Sequence, residues 1–247
     1  CQPECVYFTS GGSESNNLAI LGAAQAKKRR ADEIVTTTAE HSSVSMAVKH
    51  LEDQGWKVTR IHPGRDGNLD PYAVADAVNQ HTALVTMMVV NNETGALFPV
   101  EEAAALIRQK NPDTLIHWDG VQAFGKLPLK AARMEVDLLS VSGHKIQGPK
   151  GSGALYVRRG VRVAPVVYGG GQERGLRSGT EALPALVAMG AAAARLPAAR
   201  QYVAEALAEE QGLTVTDVAL IENSGAGILT VELRYRETAL SVSLELK

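Results

Sequence analysis

The sequence has no long apolar run, and this absence excludes one class of protein at the outset. No segment approaches the ~18 to 20 continuous apolar residues that a membrane-spanning helix needs. No positively charged start followed by an apolar stretch indicates a secretory signal either. We therefore predict a cytoplasmic protein that does not associate with a membrane.

Cysteine is also scarce, since Cys1 and Cys5 are the only two among 247 residues. Their spacing differs from the two-residue gap of redox and zinc motifs, so they predict no metal site. The formal net charge is −2, which gives no general electrostatic attraction to nucleic acid. The sequence begins without Met and almost directly on an apolar segment, which favours a piece of a longer protein.

What the sequence does contain is an alternation of apolar strands and helical segments from residue 4 to about 140. Such alternation is typical of parallel strands joined by crossover helices. The almost wholly apolar run from Ala83 to Val90 suits a central strand that is covered on both faces. We predict the α/β class, with a mostly parallel sheet flanked by helices.

The pattern changes after residue 180. An Ala-rich helix is expected from about Glu181 to Leu196, where Pro197 should end it because proline lacks the N–H that a helix interior needs. A second helix should then reach about Gln211. The sequence therefore predicts two successive helices in this part of the chain.

The tail alternates apolar and polar positions at 231–235 and again at 240–246. This alternation predicts two antiparallel strands. They are too few for a complete second domain. We expect a large domain at 1–196 and a partial or divergent α+β small domain at 197–247.

Small and polar residues follow several of the predicted strands at the point where each strand ends. The carboxyl ends of parallel strands meet in one crevice, which is where open α/β sheets bind their ligands. The candidates at these strand ends are Gly12, Ser13, His41, Asn92, Asp119, Gln122, Ser142, His144 and Lys145. We expect them to share one site.

This combination of residues fits the needs of pyridoxal 5′-phosphate (PLP). The PLP aldehyde needs a lysine for its Schiff base, and its pyridinium nitrogen needs an aspartate. Its phosphate needs small donors at a helix N-terminus, such as Gly12 and Ser13. Asp119 and Lys145 are 26 residues apart, about one strand-crossover-strand unit. A competing interpretation makes Asp119 a helix N-cap and Lys145 a phosphate ligand, but the convergence of five strand ends favours PLP.

Six motifs in order resemble the cysteine desulfurases of the NifS/IscS type, which are fold-type I PLP enzymes of the class V aminotransferase superfamily. The resemblance covers about residues 5–200. The motifs are Phe8-Thr9-Ser10-Gly11-Gly12-Ser13-Glu14-Ser15-Asn16-Asn17, Glu40-His41, Asn91-Asn92-Glu93-Thr94-Gly95, Asp119-Gly120-Val121-Gln122, Ser142-Gly143-His144-Lys145 and Arg177-Ser178-Gly179-Thr180.

The resemblance implies a role for each residue around the PLP ring. Lys145 would hold PLP covalently, and Asp119 would pair with the ring nitrogen. His41 would stack on the ring and assist proton transfer. Asn92 and Gln122 would bond the ring oxygen.

The resemblance also implies a phosphate site and a shared active site. The residues expected to hold the phosphate are Gly12, Ser13, Ser142 and His144, and Gly143 is counted among the cofactor-binding residues. Thr180 would reach the phosphate in the partner subunit, which implies a homodimer.

The family takes sulfur from L-cysteine and leaves L-alanine. A thiolate on a loop of the C-terminal part becomes a persulfide, which passes to an acceptor such as an iron–sulfur scaffold. This sequence has no cysteine after Cys5, and neither Arg234 nor Arg236 matches the arginine that binds the substrate carboxylate. Two alternatives therefore stay open: an inactive truncated relative that binds PLP or only dimerises, and a selenocysteine lyase or other PLP lyase.

Overall fold

Residues 1–131, 134–208, 213–223, 226–235 and 238–246 are described by this computed structural model. The helices within them are α1 Gly12–Lys27, α2 Ser42–Asp53, α3 Pro71–Asp76, α4 Val100–Lys110 and α5 Leu183–Ala208. The strands are β1 Val6–Thr9, β2 Glu33–Thr37, β3 Lys57–Ile61, β4 Thr82–Met88, β5 Leu115–Asp119, β6 Leu138–Ser142, β7 Gly153–Val157, β8 Leu213–Asn223, β9 Ala226–Tyr235 and β10 Thr238–Leu246.

The first seven strands form one sheet in the order β1-β7-β6-β5-β4-β2-β3. Strands β2 to β6 pair in parallel, whereas β7 runs antiparallel to both β6 and β1. β1 therefore points in the same direction as the parallel strands. Its carboxyl end lies at the same edge of the sheet as theirs, which is what the sequence predicts for the strand ends.

Alternate residues of each central strand face opposite sides of the sheet, as the pleat of a strand requires. Ile34, Leu84 and Leu115 belong to one buried cluster, together with the apolar residues of α1 and α2. Val35, Val85 and Ile116 follow them in sequence and belong to the other cluster, with α3, α4 and Met189 of α5. Both faces of the sheet are thus covered, and the predicted fold class is confirmed.

The outer edge of β1 is covered by the segment before α5. The Glu173 carboxylate accepts the backbone N–H of Phe8 at 2.9 Å. The Arg174 guanidinium donates to the carbonyl of Val6 at 2.9 Å and lies 4.0 Å from the centre of the Tyr7 ring. These bonds satisfy backbone groups that an edge strand would otherwise offer to another chain.

The prediction that Pro197 separates two helices is wrong. α5 is a single helix from Leu183 to Ala208 and continues through this proline. A proline in a helix interior costs roughly 3 kcal/mol. The alanine-rich run around it, which has the highest helix propensity, offsets that cost. Among the described residues, no helix has both the length and the apolar character needed to cross a membrane.

The C-terminal segment forms three antiparallel strands in the order β10-β9-β8, rather than the two that the sequence predicts. The missed strand is β8. Its register shifts between Val215 and Asp217, and such a bulge changes the phase of the apolar alternation, which hides the strand in the sequence. The proposed division into domains at 196/197 stays a prediction.

Candidate active site

A cavity of about 600 Å³ lies at the carboxyl edge of the sheet, where β1, β2, β4, β5 and β6 end. Nine of the predicted site residues line it: Gly12, Ser13, His41, Asn92, Asp119, Gln122, Ser142, His144 and Lys145. Gly143 and Thr180 are not among its lining residues. The structure thus brings together groups that are up to 133 positions apart in the sequence, from Gly12 to Lys145.

One end of the cavity is built to receive an anion. Gly11 precedes α1 with φ +150°, and no side chain caps the helix N-terminus. A Cβ on Gly12 would lie only 2.6 Å from a methyl carbon of Val121, so only glycine lets the backbone come this close. The hydroxyl of Ser142 lies 2.9 Å from Nδ1 of His144 at the same end. Uncapped N–H groups at a helix start, with hydroxyls beside them, fit a phosphate group.

Asp119 is the buried charge of the cavity, with 5% of its surface exposed. Its Oδ1 accepts the backbone N–H of Val121 at 2.9 Å, and its Oδ2 accepts the side-chain amide of Asn16 at 2.7 Å. Burial raises the pKa of Asp119, and these two bonds oppose that rise. In the described part of the chain no cationic side chain is bonded to this carboxylate. Such a buried carboxylate is suited to a positively charged ligand, so its chemistry fits a pyridinium nitrogen.

Lys145 lies in a short 3₁₀ turn, Gly143–Ile146, that follows β6 directly. The turn ends at Gln147, whose left-handed conformation has φ +60°. Gly143 sits behind the lysine rather than in the cavity, since a Cβ there would come within 2.2 Å of the Ser152 hydroxyl oxygen. The turn therefore presents a half-buried lysine at the strand end, and the structure gives Gly143 a packing role.

His41 caps the N-terminus of α2. Its Nδ1 accepts the backbone N–H of Ser43 at 3.1 Å and lies 2.8 Å from the hydroxyl of Ser43. The start of α2 therefore holds the His41 ring through one of the two ring nitrogens. The cap orients the imidazole at the edge of the cavity.

The remaining two predicted amides are positioned by their neighbours. The carbonyl oxygen of Gln122 accepts from Nζ of Lys126 at 2.8 Å, which leaves the Gln122 amide nitrogen as its donor. Asn91 shapes the loop after β4, because its Oδ1 accepts the backbone N–H groups of Glu93 and Thr94, each at 2.9 Å. Asn92 then lines the cavity.

Asn16 and Ser43 also line the cavity, although neither is among the predicted site residues. Asn16 is 1% exposed and comes one helical turn after Gly12. Residues four apart share a helix face, so a helix that begins at the cavity with Gly12 must also turn Asn16 toward it. That spacing was a usable signal.

Glu40 is a third residue that is not among the predicted site residues, and its carboxyl group is buried. Its Oε1 accepts the Thr37 hydroxyl at 2.6 Å and the backbone N–H of Met88 at 3.1 Å. Its Oε2 is buried and has no partner among the described residues. Burial raises the pKa of Glu40 to about 8, and the negative charge of Asp119 adds to the effect. The group is therefore a protonated acid at neutral pH.

Thr180 lies in a separate small cleft of about 60 Å³, together with Arg177 and Phe8. The Arg177 guanidinium bonds both carboxylate oxygens of Glu14 at 2.7 and 3.1 Å. This fork ties the Arg-Ser-Gly-Thr segment to the first turn of α1. Thr180 is exposed in the single chain, and its predicted contact with a partner subunit stays a prediction.

The fold and the cavity define a PLP-type α/β scaffold with its site at the carboxyl edge of the sheet. The model of the aminotransferase class-V family matches residues 2–245, and the chain belongs to this family. The family implies use of PLP.

Similar curated proteins show which enzymes of this family the chain resembles. The chain is 46% identical over 190 residues to cysteine desulfurase 2 of Trichormus variabilis, covering 76% of this chain and 46% of that protein. It has the same identity and coverage with cysteine desulfurase IscS of Rickettsia massiliae. With the mitochondrial cysteine desulfurase of Eremothecium gossypii it is 45% identical, covering 77% of this chain and 39% of the relative. The chain thus spans less than half the length of these curated relatives.

Solved structures agree with this result. A NifS-like protein superposes with a TM-score of 0.77 at 34% identity and covers 95% of this chain and 66% of its own. SspA in complex with cysteine gives a TM-score of 0.77 at 35% identity, with 94% and 67% covered. The resemblance to cysteine desulfurases of the NifS/IscS type is confirmed.

Proposed function

We propose that this chain is the PLP-binding part of a cysteine desulfurase that removes sulfur from L-cysteine and leaves L-alanine. One observation carries the proposal. A single cavity holds Lys145, the buried carboxylate of Asp119 and the uncapped start of α1. These are the three groups that the aldehyde, the ring nitrogen and the phosphate of PLP require.

Bound PLP supplies an electron sink for bonds at the carbon that bears the substrate amine. The contribution of Asp119 is electrostatic. Its burial makes a lone negative charge costly, so the carboxylate favours a protonated nitrogen beside it. Asn16 and Val121 hold both carboxylate oxygens and so orient them.

The other residues hold and orient. We assign the phosphate to Gly12, Ser13, Ser142 and His144. His41 covers the ring face and exchanges a proton with the substrate, and the amides of Asn92 and Gln122 bond the ring oxygen. Gly143 supports the Lys145 turn from behind. A homodimer, in which Thr180 completes the phosphate site of the partner, belongs to the same proposal, as does a cytoplasmic location.

The sulfur-transfer step needs a thiol that this chain does not bring to the cavity. Cys5 is buried, and neither it nor Cys1 lines the cavity. We therefore assign cofactor and substrate binding to this chain, and transfer of sulfur to an acceptor protein, such as an iron–sulfur scaffold, to a thiol outside this sequence. The same observation favours a second candidate for the 247 residues alone, a PLP-binding chain that does not move sulfur.

Lysine labelling tests the proposal. The chain purified with PLP should show the yellow absorbance of lysine-bound PLP, and borohydride should fix the cofactor on the peptide that contains Lys145. Lys145→Ala should abolish both signals. Lys150 lines the same cavity, so Lys150→Ala is the matched control and should keep them.

Two results would contradict the assignment. One is yellow absorbance of full strength in Lys145→Ala. The other is a reduced adduct on the peptide of Lys150 in the unaltered chain.

A further inference from the structure

Asn16 bridges two parts of the cavity that no other described hydrogen bond connects. Its side-chain nitrogen lies 2.7 Å from Oδ2 of Asp119 and 2.8 Å from the hydroxyl of Ser43. That hydroxyl lies 2.8 Å from Nδ1 of His41. An unbroken chain of bonds therefore runs from the carboxylate at the end of β5, through α1, to the imidazole at the start of α2.

The direction of each hydrogen bond in this series follows from which groups can donate and which can only accept. A carboxylate and an amide oxygen would both be acceptors, so the group that Asn16 turns toward Asp119 must be its NH₂. One N–H goes to Asp119, and the other goes to Ser43. The Ser43 oxygen accepts this bond, which leaves its own O–H to donate to His41.

The backbone N–H of Ser43 determines which nitrogen of the His41 ring carries the proton. A backbone N–H can only donate, and that of Ser43 points at Nδ1 of His41 at 3.1 Å. Nδ1 is therefore an acceptor of two bonds, and the proton of the neutral ring resides on Nε2. The nitrogen that remains to exchange a proton with a group in the cavity is Nε2.

Asn16 forms this bridge while its side-chain oxygen stays buried without a hydrogen bond to any described residue. The residue is 1% exposed, and its Oδ1 is buried with no partner among the described residues. An unsatisfied buried acceptor costs about 1 to 3 kcal/mol. A hydrophobic residue at this position on α1 would avoid that cost, but it would leave Asp119 and Ser43 without their shared donor.

We propose that Asn16 and Ser43 are positioning residues, which together orient the Asp119 carboxylate and hold His41 in its Nε2–H tautomer. The bearing of the bridge on PLP rests on the proposed function, whereas the tautomer is a property of the chain itself. The bridge links the group assigned to the ring nitrogen with the group assigned to the ring face. It would thus set both before the cofactor binds.

The tautomer can be measured without cofactor. In the PLP-free chain, nitrogen-15 NMR of the neutral His41 ring should show the Nε2–H form. Ser43→Ala removes one of the two donors to Nδ1, and a hydrogen bond of about 1 kcal/mol corresponds to a shift of about fivefold in the tautomer ratio toward Nδ1–H. Ser43→Thr keeps the hydroxyl and should restore the ratio. Ser45→Ala, an exposed serine on the same helix, is the matched control.

The affinity for PLP tests the other hydrogen bond of the bridge, between Asn16 and Asp119. Asn16→Ala removes the donor that orients Oδ2 of Asp119 and favours its charged form, so the Kd for PLP should rise by about tenfold or more. Ser45→Ala should leave the Kd unchanged. Urea unfolding of each variant shows whether it is folded, and if Asn16→Ala is not, Asn16→Leu takes its place, because leucine fills a similar volume and donates no hydrogen bond.

The outcomes separate the two proposals. A tautomer ratio in Ser43→Ala equal to that in Ser45→Ala overturns the bridge, as does an unchanged Kd for PLP in a folded Asn16 variant. If the unaltered chain binds no PLP, the proposed function fails. The NMR comparison of Ser43→Ala, Ser43→Thr and Ser45→Ala then still decides whether the bridge holds His41.

Discussion

The stability of the chain should fall as the pH rises above neutrality, and Glu40 is the reason. Its carboxyl group is buried beside Asp119, and burial raises its pKa to about 8 from the usual 4.5. Between these two values the folded chain holds a proton that the unfolded chain has released. The contribution of Glu40 to stability therefore decreases with rising pH in this window, by up to about 1.4 kcal/mol per pH unit.

The size of the effect follows from the pKa difference. A shift from 4.5 to about 8 corresponds to about 5 kcal/mol over the whole window. This is an upper limit, because an ionised carboxylate draws in water and so relieves part of its desolvation. From pH 6.5 to pH 8 alone, the expected loss is about 2 kcal/mol.

Glu40→Gln isolates this contribution. The glutamine oxygen can still accept from the Thr37 hydroxyl and from the backbone N–H of Met88. The variant therefore resembles the protonated acid at every pH. At pH 5 it should be about as stable as the unaltered chain, and at pH 8 it should be more stable by about 2 kcal/mol or more.

Urea unfolding followed by tryptophan fluorescence supplies the measurement, since Trp56 and Trp118 are both buried. Glu93→Gln removes a carboxylate from an exposed loop position and controls for the change in net charge. The reasoning is refuted if the stability curves of Glu40→Gln and the unaltered chain run parallel from pH 5 to pH 8. A variant that is less stable by a constant amount would mean that the folded chain holds Glu40 ionised.

Two further predictions concern the sheet and the start of α1. His117 is fully buried between the hydroxyls of Thr86 (2.7 Å) and Ser140 (2.9 Å), and burial lowers its pKa to about 3. The contribution of His117 to stability should therefore decrease by up to about 1.4 kcal/mol per unit as the pH falls from 6.5 toward 3. His117→Asn should remove this contribution from the pH dependence of urea unfolding, and an unchanged pH dependence would contradict the prediction. Gly12→Ala should weaken PLP binding at least tenfold, because its Cβ would lie 2.6 Å from a neighbouring methyl carbon, whereas Gly190→Ala, which has open space around it, should leave the absorbance titration unchanged.

The sequence predicts the cavity well because its signals are local. Each apolar run ends in small or polar residues, and the direction of parallel strands alone brings those ends together. Asp119 and Lys145 could be placed in one site by this rule, without knowledge of any contact. The rule does not distinguish a residue in the cavity from one behind it, so it could not show that Gly143, which the family resemblance adds to the cofactor-binding residues, packs against Ser152.

Other features depend on contacts that a strand and helix pattern does not contain. The raised pKa of Glu40 arises from burial of its carboxyl group and from the negative charge of Asp119, 79 positions away. Asn16 appears in the sequence as an ordinary polar residue of a helix, and its role depends on Ser43 and Asp119. The path of α5 through Pro197 was missed because the rule for proline treats its cost alone and not the alanine-rich run that offsets it.

The place of β1 in the sheet has a consequence for the order in which the chain can fold. β1, Val6–Thr9, is synthesised well before β7, Gly153–Val157, which is its only strand partner among the described residues. A ribosome adding roughly 5 to 20 residues per second therefore exposes β1 for many seconds before its partner emerges. The turn that follows β1 lies against Val121 and Ser142, which are synthesised before β7, but the strand that leads into this turn stays unpaired until β7 is made. The anion-binding end of the cavity is therefore completed only once almost all of the sheet has formed.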